Sequence, residues 1–193
     1  MLGFPLGILS AAGAGGVAAV SDYDLLETYT LGSSQTSITF SSLGTYSPTY
    51  KHLQIRFVAR SDRNQNADSS LMRFNGDTGS NYSWHSLRVA DTSSVASEAA
   101  TSQSYMRSGR TSSDTTTASV FAASIIDILD PYSTSKNTTI RYFDGFMAAT
   151  SNWIELGSGA WYNTSALTSI TLDQVFGTNF VSGSRFSLYG IKG

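Results

Sequence analysis

His52-Leu53-Gln54-Ile55-Arg56-Phe57-Val58-Ala59 is the most regular stretch of the chain. Leu53, Ile55, Phe57 and Ala59 fall on one side of an extended backbone, with His52, Gln54, Arg56 and Val58 on the other. A period of two residues is the signature of a half-buried β-strand. Working outward, Asn137 to Met147 sets Thr138, Ile140 and Tyr142 against Thr139, Arg141 and Phe143. Ser169 to Phe176 sets Ile170 and Leu172 against Thr171 and Asp173, and Ser184 to Ile191 sets Phe186 and Leu188 against Arg185, Ser187 and Tyr189. Weaker runs of the same kind lie at Leu25–Leu31, Ser37–Phe40, Leu71–Phe74, Tyr82–Val89, Ala118–Leu129 and Trp153–Tyr162.

Turn residues fall between these runs: Asn75-Gly76-Asp77, Asp130-Pro131, Gly177-Thr178-Asn179 and Ser182-Gly183. Short strands at this spacing predict an all-β fold, an antiparallel β-sandwich of jelly-roll type. Helix is expected at most as a turn or two at Asp22–Thr28 and Ser93–Ser102. Asp91 to Thr117 is poor in apolar side chains and is expected to form a long exposed loop or hairpin tip. With 193 residues and no internal repeat, the body reads as one domain over residues 22–193. Ten Tyr, ten Phe and three Trp supply the core and exclude disorder.

Residues 1–21 read differently. MLGFPLGILSAAGAGGVAAV carries no charge, yet Pro5 and its glycines weaken a membrane span, and no Lys or Arg precedes it as a secretory signal requires. We expect an extended arm anchored on another subunit through Leu2, Phe4, Leu6, Ile8 and Leu9, since an ordered apolar tail needs a surface to cover it. The Gly/Ala run would be its connection.

Composition narrows the chemistry. Charged residues are 13% of the chain, the net charge is −2, and Lys51, Lys136 and Lys192 are the only lysines, so no basic field exists to hold nucleic acid. Without cysteine there is neither a disulfide nor a thiolate-bound metal. His52 and His85 are the only imidazoles, and no G-x-S-x-G elbow frames a serine. Asp62, Asn64, Asn66 and Asp68 alternate like calcium-loop ligands, but Ala67 stands where the turn needs Gly and Arg73 where the bidentate Glu belongs. They are expected to form a solvated polar loop. Asp77 could bind an ion, although a strand and tight turn already account for its run. Trp84, Trp153 and Trp161 are expected in the core or an interface rather than as sugar platforms. The Asn81, Asn137 and Asn163 glycosylation patterns are chance matches in a chain so rich in Ser and Thr. No enzyme activity, cofactor or metal is expected.

Three stretches carry a family resemblance: Tyr50-Lys51-His52-Leu53-Gln54-Ile55-Arg56, Met72-Arg73-Phe74-Asn75-Gly76-Asp77-Thr78-Gly79-Ser80-Asn81-Tyr82, and Asn179 to Ile191. Ser165–Leu172 and the opening, an apolar leader before Tyr23-Asp24-Leu25-Leu26-Glu27-Thr28, belong with them. Together they resemble small virion structural proteins of tailed bacteriophages, common among phages of cyanobacteria. The resemblance implies a capsid decoration (cement) protein on the capsid exterior, with the major capsid protein and further copies of itself, as a homotrimer, for partners. The family also includes fibre and tail-associated proteins, so a tail fibre or receptor-binding module is the alternative. A fibre module usually follows a shaft of heptads or repeats, and this sequence shows none, which favours the capsid. Neither nucleic acid nor a membrane is implied.

Overall fold

A computed structural model describes residues 21–91, 94–149 and 151–193. Twelve strands follow in chain order: β1 (Tyr23–Thr30), β2 (Ser37–Phe40), β3 (His52–Ala59), β4 (Ala67–Phe74), β5 (Tyr82–Ala90), β6 (Ser94–Gln103), β7 (Met106–Ser112), β8 (Ala122–Leu129), β9 (Thr138–Met147), β10 (Asn152–Trp161), β11 (Ile170–Gln174) and β12 (Arg185–Ile191). They form an eight-stranded antiparallel sheet, ordered β1-β12-β3-β8-β9-β10-β5-β6, and a four-stranded one, ordered β2-β11-β4-β7. The two pack as a sandwich, as the period-two runs predicted.

The alternation works as read. Leu53, Ile55 and Phe57 of β3 are buried beside Ile126 and Ile128 of β8, Ile140 and Tyr142 of β9, and Phe186 and Leu188 of β12. Ile38, Phe40, Ile170, Leu172, Met72 and Phe74 of the short sheet close the core from the other side. Each such side chain contributes about 1.5–3 kcal/mol on burial. Rings meet edge to face, Phe180 against Phe186 at 4.7 Å and Phe74 against Trp161 at 5.7 Å between centroids.

Three expectations are corrected. Asp22–Thr28 is not helical: β1 pairs along its length with β12. The described part of the Ser93–Ser102 expectation, from Ser94 on, is likewise strand, since β6 is the ten-residue edge of the long sheet beside β5. Residues 91–117 are therefore not one exposed loop. β6 ends one sheet, β7 joins the other by pairing with β4, and β7 is almost wholly buried. Apolar periodicity is missing from β7 because what it packs against is polar. The described helix is instead a single 3-10 turn at Leu43–Tyr46, anchored by buried Leu43.

Candidate functional site: the outer face of the long sheet

β7 lies over the β8-β9-β10 part of the long sheet, and there the sandwich is held by charge. Arg110 Nε donates to buried Glu155 Oε2 at 2.5 Å, and Tyr142 Oη donates to Oε1 at 2.7 Å. Asp144, directly opposite Glu155 in the β9–β10 ladder, is also buried, and neither of its carboxylate oxygens has a hydrogen-bond partner. Burial first, and the neighbouring Glu155 charge second, push the Asp144 carboxyl well above the usual range, against the opposing pull of Arg110. Burial and the same carboxylate raise the Tyr142 phenol. Gly109 of β7 passes over this pair with φ +122°, and a Cβ there would stand 2.9 Å from Asp144 Oδ2. A second layer sits toward the β6 edge, where Glu98 pairs with Arg88 at 2.6 Å and with Arg107. Burial pushes the Glu98 carboxyl up, and the two guanidinium groups more than offset it.

These groups face one another rather than an opening, so they hold the two sheets together. The residues singled out in sequence are spoken for in the same way. His52 Nδ1 accepts the Asp130 backbone N–H at 3.1 Å, and His85 is exposed on β5, four strands away in the sheet order. Asp62, Asn64, Asn66 and Asp68 do not form one solvated loop. Asp68 is fully buried and accepts from Gly177 N at 2.7 Å, while Asp62 accepts from Thr178 N at 2.8 Å and Asn179 N at 2.9 Å. The two carboxylates clamp the 177–179 turn, whereas Asn64 and Asn66 stay exposed. Asp77 accepts from Trp161 Nε1 at 2.7 Å, Asn81 Nδ2 at 2.9 Å and Gly79 N at 2.8 Å, and these donors hold its carboxyl below the usual range. Trp84 and Trp161 are buried, and Trp153 carries the Arg110 guanidinium 4.3 Å from its ring centroid. Among the described residues no group of three or more His, Asp or Glu could hold a metal ion, and no helix is long and apolar enough to cross a membrane. The predicted anchors Leu2, Phe4, Leu6, Ile8 and Leu9 lie outside the described residues.

The distinctive surface is the outer face of the long sheet. Directly opposed residues share a face, so the ladder registers define rows across it. One row runs Leu87–Leu156–Phe143–Ile125, and these four are 43–58% exposed. The next runs Val95–Val89–Ile154–Gly145–Ala123–Val58. No charged side chain interrupts either row, and together they cover about 300 Å² of sheet plane, given about 4.8 Å between strands and 6.8 Å between alternate residues. That is the size of the largest apolar patch on a typical monomer, and such patches are often functional. A polar row, His85–Ser158–Arg141–Asp127–Gln54, borders it on one side, with Arg141 and Asp127 paired at 2.8 Å. Within the band, small Ala123 and Gly145 leave a trough of about 420 Å³, walled by Ile125, Phe143, Met147 and Ile154. An apolar centre with a polar rim is the anatomy of a protein–protein contact.

Sequence reasoning placed Phe143 and Val58 on the face away from the core but did not join them into a band. Joining them requires strand order and register. Compared with known protein families, curated proteins and solved structures, the chain matches none.

Proposed function

We propose that this chain is a non-enzymatic virion structural protein, a capsid decoration protein that binds the major capsid protein at subunit junctions on the outside of the head and stabilises the shell. The observation that supports it is the apolar band across the long sheet: a rigid, rimmed surface whose burial against protein removes large side chains from water. The sequence resemblance supplies the setting, and the low charge of the chain suits extensive contact between proteins. The buried ionic groups are used up in holding the sheets together, which agrees with a structural role.

Within the band, the Leu87–Leu156 ridge is the part assigned to the shell. Purified protein incubated with undecorated capsids is expected to co-sediment with them. The Leu87→Asp/Leu156→Asp variant is expected to bind about tenfold or more weakly, because each lost apolar contact is worth about 1.5 kcal/mol or more. Equal co-sedimentation of the variant, or no binding by the parent chain, would overturn this assignment.

A further inference from the structure

We propose that the trough over Ala123 and Gly145 is the seat of residues Leu2–Ile8 from a second copy of this chain. The inference makes no use of the capsid assignment and concerns the chain alone.

The first argument is pattern. Leu2-Gly3-Phe4-Pro5-Leu6-Gly7-Ile8 alternates large apolar residues with Gly, Pro and Gly. Extended, it turns every large side chain to one side and presents nothing large on the other. Such a strip buries all its apolar surface when laid flat on a sheet face and leaves only Gly and Pro toward water. Pro5 lacks an N–H, which costs nothing where side chains rather than ladder hydrogen bonds make the contact.

The second argument is fit. The trough floor is Ala123 and Gly145, the two smallest residues of the row, and Val58, Ile125, Phe143, Met147 and Ile154 rise around it. The strip carries no charge; of the residues lining the trough only Asp144 is ionisable, and it is buried, while Arg56 and Arg185 lie at the rim, opposite Ile125 and Val58.

The third argument is direction, and it selects a second copy. The chain enters β1 at the end of the sheet where Tyr23 meets Ile191, whereas the trough lies at the other end, in the row of Val58 and Arg185. Lys192 holds that entry: its N–H donates to Asp22 O at 3.0 Å and its Nζ to Ser21 O at 2.8 Å. The described chain therefore begins at the end of the sheet remote from its own trough. To reach that trough, the preceding segment would have to span about 30 Å of sheet, from eight residues along the strand and at least two strands across. A Gly/Ala-rich connection of the length of Ser10–Val20 spans about 18 Å on average. A neighbouring copy placed off that end of the sheet meets no such demand.

The chain has no cysteine, which makes the test direct. Two full-length single-cysteine proteins, Leu6→Cys and a size-tagged Ala123→Cys, are mixed in solution and treated with a short bismaleimide. The expected result is a crosslinked heterodimer, well above the yield given by a Ser135→Cys control, and lost when Phe4→Asp is added to the Leu6→Cys chain. In light scattering the parent is expected above the monomer mass and Phe4→Asp/Leu6→Asp at the monomer mass, with an unchanged circular dichroism spectrum. A heterodimer yield no higher than the control overturns the proposal. So does a Leu6→Cys/Ala123→Cys double variant that crosslinks only within one chain, or a parent that is strictly monomeric at high concentration.

Discussion

Asp144 and Glu155 face each other across the β9–β10 ladder, and it is Glu155 that receives the Arg110 guanidinium and the Tyr142 hydroxyl. Asp144 is left without such donors, and burial beside Glu155 raises its carboxyl. Its folded value lies above the unfolded value near 3.8, so as pH rises through that window the unfolded chain releases a proton that the folded one keeps. Stability on this account is full below the unfolded value and declines as pH rises toward the folded one. Asp144→Asn should abolish that decline. In thermal melts from pH 4 to pH 8, the variant is expected to gain on the parent as pH increases, and parallel curves would contradict the assignment. A pattern of residues along one strand cannot show this pairing. Asp144 reads as one more polar position in a sequence run, and its character comes from β7 crossing above it.

Gly157 shows the same dependence at the scale of an element. It stands opposite Tyr142, whose ring lies so close that a Cβ would come within 2.2 Å of it. That bare position lets Tyr142 lie flat and reach Glu155. Gly157→Ala is expected to destabilise the fold by about 1–3 kcal/mol through overpacking, measured by urea unfolding. Exposed Ser158→Ala, one residue along the same strand, should be nearly neutral. A neutral Gly157→Ala would mean that the ring moves freely. β3, β9, β11 and β12 were legible in sequence because each places alternate large apolar residues in the core. β7 was not, since Ser108, Gly109 and Arg110 meet carboxylates and hydroxyls instead of hydrocarbon. β6 escaped notice because its small, half-exposed side chains are held by the β5 ladder rather than by a buried face. Strand order, with β12 inserted between β1 and β3, depends on contacts between distant parts of the chain that alternation does not encode.

For the whole molecule, the sandwich offers two faces of different character. The outer side of the short sheet is polar: Ser37 and Thr39 of β2 are exposed there, and the Thr39 and Thr171 hydroxyls share a hydrogen bond at 3.0 Å. The outer side of the long sheet is open, apolar and rimmed by charge. A protein that stabilises a shell needs a stiff domain and one surface that others cover, and this division supplies both. The central claim is that the long sheet's face meets the capsid exterior. An electron-microscopy map of the intact particle, resolved well enough to orient the sandwich, tests it most directly. The account predicts symmetric density over the head, with the Leu87–Leu156 ridge turned toward the major capsid protein. Density confined to the tail, or a sandwich on the head with that ridge facing solvent, would contradict it.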